Sequence, residues 1–373
     1  MLKVLLVAPT DPKDPSDLRL LVGGENTFCK SLLSNSPKGV SFTYFHEALK
    51  RGDIGYTFLH HFLNILTKLR ILPIGGGNQC FHIKGKFDLI HCHAYGIKID
   101  CDIPILLSDS SSNYLFLRDY LNWSAWRIKM SLAIKRFILK AFNVLDPDVN
   151  VEGAKKLIVF SKFAFNIHKF LGNSASKIEL LYPGISGPGN VKKKGKELVH
   201  ILFVGTWFER KGGPLLLEAF KRLSKKYPKA RLTIVGEVPK KFKVKSSKLK
   251  IYNYVLRESL MREFFPKADI FVLVPPKVEG FGFAAVEAMS FGIPTVVSNV
   301  CALPELVEDG QSGFVVKGGS IDDLRDKLEI LICDQTLREK MGEAARKRFV
   351  EKFSIEKLNA SLLKIYNEAI KSS

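Results

Sequence analysis

Glu279-Gly280-Phe281-Gly282-Phe283-Ala284-Ala285-Val286-Glu287 sets two carboxylates eight residues apart around a Gly-x-Gly turn that opens a helix. A helix N-terminus offers unpaired backbone N–H groups and a partial positive charge, which suit a diphosphate. Gly280 and Gly282 let the backbone come close to a ligand. Carboxylates repel phosphate but accept hydrogen bonds from sugar hydroxyls. The segment therefore fits an anionic, hydroxyl-rich ligand, with phosphate at the helix end and hydroxyls on Glu279 and Glu287. A second set of polar residues lies upstream, in Val204-Gly205-Thr206-Trp207-Phe208-Glu209-Arg210-Lys211-Gly212. It sets two adjacent cations, Arg210 and Lys211, before a glycine. Arg210 has the fork geometry for bidentate phosphate contact, or it points to solvent.

The elements that must position these residues are legible as alternating apolar runs and amphipathic stretches. Strands are predicted at Val4–Ala8, Phe42–Phe45, Leu89–His91, Ile105–Leu107 and Leu157–Phe160. A second series covers Ile201–Val204, Leu232–Val235, Ile270–Leu273 and Thr295–Val297. Uninterrupted β-branched runs mark strands buried on both faces, hence parallel sheets. Helices are predicted at Leu215–Tyr227, at Ile321–Leu331 and in the amphipathic tail, residues 353–370. The class is α/β, written twice. A segment dense in Gly, Pro and Lys, residues 182–196, reads as the linker. The expected domains are 1–188, 189–352 and a terminal helix within 353–373.

These 373 residues are about right for two domains. Hydrophobic content of 46% with 25% charged residues is that of a globular chain. No run of about 18 apolar residues can span a bilayer. The six cysteines form no C-x-x-C pair, so reduced thiols in a cytoplasmic protein are expected. The net charge of +20 raises nucleic acid, an anionic membrane surface and phosphorylated ligands as partners. The charge is spread: residues 1–188 hold 23 basic and 15 acidic side chains, leaving 34 and 22 of the totals 57 and 37. With no nucleic-acid motif present, the nucleic-acid-binding alternative is disfavoured. Residues 120–145 carry five Lys or Arg, no acid, and two tryptophans. Residues 54–87 also lack acids. A helix basic on one side and apolar on the other either lies on a membrane interface or packs on a core with its charges in water.

Taken together, the E-x7-E pair Glu279/Glu287, the Val204-Gly205…Lys211-Gly212 loop, Leu232-Thr-Ile-Val-Gly236-Glu237, and Pro304-Glu-Leu-Val-Glu-Asp-Gly310 resemble the retaining glycosyltransferases of family 4 (group 1) with the GT-B fold. The resemblance covers nearly the whole chain and is strongest from Val204 to Phe314. It implies two Rossmann-like domains with parallel sheets facing a central cleft and a last helix crossing back to the first domain. It implies a metal-independent hexosyltransferase with no cofactor, using a UDP-, GDP- or ADP-sugar donor and a glycan or lipid-linked acceptor. Such an enzyme would sit in the cytoplasm or peripherally on the inner face of the membrane. By resemblance, Glu279 meets the donor sugar, Glu287 the ribose, and Lys211 the diphosphate. The backbone around Gly280, Phe281, Gly282 and Phe283 and around Gly205 and Thr206 would line the donor. Gly23 and Gly24 would lie near its phosphate and the acceptor. The chain departs from the pattern twice. Thr206 stands where the family has an Arg, leaving Arg210 as the candidate second cation. Ser108-Asp109-Ser110-Ser111-Ser112-Asn113 stands where many members have a His, leaving Asp109 or a neighbouring hydroxyl as the candidate contact. These departures also raise an inactive homologue acting as a scaffold. His91 and His93 offer only two nitrogens on one strand face, so a zinc site there is rejected.

Overall fold

The structure is a computed structural model that describes residues 1–8, 24–69, 78–189 and 197–371, without the side chains of 24–26, 116 and 120. Its contacts divide the chain into two units. The first takes its bulk from Phe28–Pro183, with the N-terminal strand and Leu358–Ser373; the second from Gly184–Lys357.

The first unit is built on a six-stranded sheet in the order Val40–Tyr44, Leu2–Val7, Leu89–His93, Ile105–Asp109, Lys156–Val159, Ile178–Leu180. Every pairing in it is parallel. Val4–Val7, Leu89–Cys92 and Leu157–Val159 are fully or almost fully buried. That is the expected burial of strands covered on both faces. The predicted strands occur where the apolar runs placed them. A small three-stranded sheet accompanies them: Ile54–Tyr56 pairs antiparallel with Asn78–Ile83, which pairs parallel with Gly96–Ile99. Its middle strand reads Asn-Gln-Cys-Phe-His-Ile, too polar to stand out as an apolar run.

The second unit has its own all-parallel sheet, ordered Leu249–Tyr252, Ala230–Val235, Val199–Val204, Ile270–Leu273, Thr295–Ser298, Gly313–Val316. Helix Gly213–Lys226 follows its first strand, and helix Phe283–Ser290 follows the strand Ile270–Leu273. Chain order runs outward from Val199–Val204 in one direction and then returns to its other side. The loops after Val204 and after Leu273 therefore lie side by side at the carboxyl ends of adjacent strands, the topological switch point where open α/β sheets bind ligands. The core on this sheet joins Phe203, Leu216, Phe220 and Ile234 to Leu324 and Leu328 of helix Ile321–Cys333.

The last helix, Ile355–Lys371, buries Leu358, Leu362, Ile365, Tyr366 and Ala369. That spacing is one helical face. From Leu358 onward it belongs to the first unit. Tyr366 is fully buried, and its hydroxyl shares a 2.7 Å hydrogen bond with Nδ1 of His91. The other ring nitrogen of His91 lies 2.8 Å from the Ser108 hydroxyl, which also meets Nδ1 of His93 at 2.9 Å. Burial lowers both histidines, to about 3 for His91 and about 4 for His93, so both are neutral near pH 7. Asn359 adds a bond to the Asn35 carbonyl at 2.7 Å.

Tyr366→Phe leaves Nδ1 of His91 buried without its partner, a cost of about 1–3 kcal/mol. Calorimetry should show the transition of the first unit moving down while that of the second stays in place.

Candidate active site

The loop after strand Val199–Val204 brings Arg210 and Lys211 over the loop that follows Ile270–Leu273. Lys211 Nζ lies 3.2 Å from Oε2 of Glu279 and 3.4 Å from Oε1. Arg210 donates to the same carboxylate at 3.3 Å and to the Val278 carbonyl at 3.2 Å. Its guanidinium also sits 5.6 Å from the Trp207 ring centroid. Glu279 is nearly buried. Burial pushes its pKa up, but Lys211 and then Arg210 outweigh that and hold it below the ordinary carboxylate range. Gly205 leaves the space that the lysine stem occupies, since a Cβ there would stand 2.5 Å from Lys211 Cδ.

Glu287 projects from helix Phe283–Ser290 and is also nearly buried. It pairs with Arg257, which the sequence motifs did not single out. Gly282 caps this helix at φ +93°, a conformation that disfavours side chains, and a Cβ would meet Leu303 Cδ2 at 2.5 Å. The Ala285 and Val286 amides bond back to the Gly282 carbonyl at 2.9 and 3.3 Å, which closes the first turn. Phe281 and Phe283 turn their rings inward, 5.2 Å apart, so only their backbones are offered to a ligand. Gly280 is half-buried and Thr206 is exposed.

Lys211, Arg257, Glu279 and Glu287 line one crevice of about 50 Å³ with Gly205, Leu260 and Ala284. Counting Arg210, three cations face two carboxylates around it. The excess positive charge is what an anionic ligand needs. A larger cleft of about 420 Å³ is lined by Leu202, Thr233, Lys248, Tyr252 and Phe264. It contains neither of these two carboxylates nor the glycine turn, so the chemistry favours the smaller crevice.

Gly24 opens helix Gly24–Ser34, and Gly23 lies outside the described residues. Asp109 belongs to a buried polar cluster in the first unit. Its carboxylate lies 3.3 Å from His168 Nε2 and accepts from the Ser111 amide at 3.3 Å. Ser112 and Asn113 donate to the two oxygens of Asp148 at 2.6 and 2.9 Å, and Lys135 pairs with Asp146 at 2.9 Å. Burial pushes His168 down, but Asp109 outweighs it and raises the imidazole. Asp109, Asp148 and His168 could present three metal-ligand atoms within 4.8 Å of one another. Lys135 and the raised His168 imidazole face the carboxylates of Asp109, Asp146 and Asp148 within this cluster. The cluster fixes the segment 108–113 in place.

Two α/β units, each on an all-parallel sheet, with a ligand crevice at the switch point of the second, define the GT-B class of fold. Solved structures agree. Sucrose-phosphate synthase from Thermosynechococcus elongatus superposes with a TM-score of 0.68 over 100% of both chains at 16% identity. Anabaena Alr3699/HepE in complex with UDP and glucose gives 0.67 over 99% of this chain and 100% of that one, at 14% identity. Residues 190–348 match the family model described as "Glycosyl transferases group 1", a stretch that falls within Gly184–Lys357. The chain is 30% identical over 177 residues to the capsular polysaccharide biosynthesis glycosyltransferase CapM of Staphylococcus aureus, covering 46% of each protein. The chain spans about half the length of the first curated relatives it matches.

Because the folded pKa of Glu279 is depressed, its ionised form contributes stability above the unfolded value near 4.5, lost as pH falls through the folded one. Urea unfolding from about pH 6 down to about pH 3 should show Glu279→Gln less stable than the parent at the upper end, with the gap closing in acid. A gap independent of pH would mean that the carboxylate charge is not what holds the loops.

Proposed function

We propose that the protein is a glycosyltransferase that moves a sugar from a nucleotide diphosphate sugar to an acceptor hydroxyl, with retention of configuration and without a metal. The observation that carries this reading is the crevice with three cations to two carboxylates beside a glycine-opened helix N-terminus. The donor diphosphate takes the helix amides together with Lys211 and Arg210. In doing so it draws these cations from Glu279, freeing that carboxylate to accept a hydrogen bond from a sugar hydroxyl. Glu287, steadied by Arg257, accepts from the ribose hydroxyls.

Chemistry then needs the glycosidic C–O bond to the β-phosphate to break and the acceptor oxygen to bond to the same carbon. The bonding pair leaves with the phosphate, and the cations stabilise the charge that grows there. On the same face, a departing phosphate oxygen takes the acceptor proton, so no separate base is required and a missing histidine is tolerated. HepE is described in complex with UDP and glucose. A uridine diphosphate sugar is therefore the first donor to test here, with GDP- and ADP-sugars beside it. CapM is described as a capsular polysaccharide biosynthesis enzyme. That points to a glycan or lipid-linked acceptor, handled by a protein peripheral to the membrane.

Thermal-shift screening should find one nucleotide sugar that raises the melting temperature, as any ligand of the native state does. With that donor, Lys211→Ala and Glu287→Ala should each cut transfer by about a hundredfold or more, the scale of losing a charge-stabilising contact. Both variants should still fold cooperatively without ligand, Lys211→Ala at a lowered melting temperature because nearly buried Glu279 loses a partner. Near-normal transfer by both would sink the assignment. Donor binding without turnover on any acceptor would favour the inactive scaffold.

A further inference from the structure

Helix Ala125–Ala141, read Ala-Trp-Arg-Ile-Lys-Met-Ser-Leu-Ala-Ile-Lys-Arg-Phe-Ile-Leu-Lys-Ala, buries Ile128, Lys135 and Leu139. Its opposite side shows Trp126 at 72% exposure, Met130 and Ile134 at 44%, and Phe137 at 77%. Those positions fall at helical spacings of four, four and three, so they form one stripe. Helix Phe58–Lys68 packs beside it: Leu59, Phe62 and Leu66 join Leu132 and Ile138 around the buried Leu63 and Leu139. The Phe62 ring meets Phe142 edge-on with centroids 5.8 Å apart. This second helix and its cap also expose large apolar groups, Phe58 at 85%, Ile65 at 53% and Leu69 at 64%. Scattered apolar side chains on a surface are ordinary, but two packed helices each presenting a stripe of them mark an interaction face.

The charges around this face select its partner. Arg127, Lys129 and Lys140 are exposed on the first helix and Lys68 at the end of the other. Arg127 also stacks on Trp123 at 3.9 Å. The two carboxylates that pair with the longer helix lie off the stripe. Asp146 meets Lys135 on the buried side, and Glu152 meets Lys140 at the helix end. Residues 120–145 and 54–87 contain no acid. An aromatic and aliphatic stripe edged by long cations is the pattern of a helix lying in the headgroup boundary of a bilayer. There the rings enter the acyl edge and the lysines reach the phosphates. No helix among the described residues is long and apolar enough to cross a membrane.

We infer that this two-helix face docks the protein on an anionic lipid bilayer, with Trp126, Met130, Ile134 and Phe137 inserted and Arg127, Lys129 and Lys68 on lipid phosphates. The docking rests on the first unit alone. It sharpens the reading of a membrane-surface acceptor without depending on sugar transfer.

The test is co-sedimentation of the full chain with vesicles of phosphatidylglycerol and phosphatidylcholine, against vesicles of phosphatidylcholine alone. Light scattering on the protein without lipid accompanies it. The parent should pellet with the anionic vesicles, and brominated lipid should quench its tryptophan emission. The double variant Trp126→Glu/Phe137→Glu changes two mostly exposed side chains, so it should melt like the parent. Its vesicle binding should fall about tenfold or more, as loss of both ring anchors requires. High salt should weaken the parent's binding too. The inference is overturned if the parent stays in the supernatant or if the variant pellets equally well. It is also overturned if the parent is a dimer that the variant makes monomeric while neither binds vesicles, since the face would then be a contact between copies of this chain. Donor turnover measured without vesicles reads the transfer reaction separately.

Discussion

The structure of the second unit turns on one nearly buried carboxylate shared by two cations. Glu279 could not remain ionised at that burial alone, because desolvation of an unpaired charge is severe. Lys211 and Arg210 make it tolerable, and in return Glu279 fastens the loop after one strand to the loop after its neighbour. That fastening keeps the glycine turn and the start of helix Phe283–Ser290 against the cations. The same arrangement holds its lysine and arginine at an anion's disposal, since a diphosphate offers them a better partner than a single carboxylate. One interaction therefore organises the crevice and sets how it would receive a charged ligand.

The second unit holds its phenylalanines for the same end. Phe281 and Phe283 alternate with Gly280 and Gly282; both rings are buried, Gly280 is half-buried, and Gly282 packs its backbone against Leu303 and Leu306. Phe281 also reaches Phe353 at 6.1 Å between centroids. The turn is thus anchored by apolar packing, so its backbone geometry does not depend on a ligand.

Most of the architecture was legible because it rests on local signals. Strands buried on both faces must be continuous apolar runs, and the two six-stranded sheets contain all nine strands read from such runs, while Ile178–Leu180, Leu249–Tyr252 and Gly313–Val316 were not foreseen. The third, small sheet was missed because its strand Asn78–Ile83 mixes polar and apolar residues and shows no clean period. At the site, Glu279, Glu287 and Lys211 could be named because glycine turns flag them. Arg257 could not, for it lies 30 residues from Glu287 in a stretch with no turn or motif signal, and only folding joins them. Asp109 was visible as an odd residue in a serine run. Its partners His168, Asp148 and Lys135 come from other elements, and nothing local announces that they share one buried cluster.

Tyr366 closes over His91 from the far end of the polypeptide. The first unit is therefore closed across 275 positions of sequence, by a helix made well after the sheet it covers. Gly184–Lys357 supplies the bulk of the second unit. A chain lacking Leu358–Lys371 would leave His91 without its hydroxyl partner and the sheet beside it without that helix.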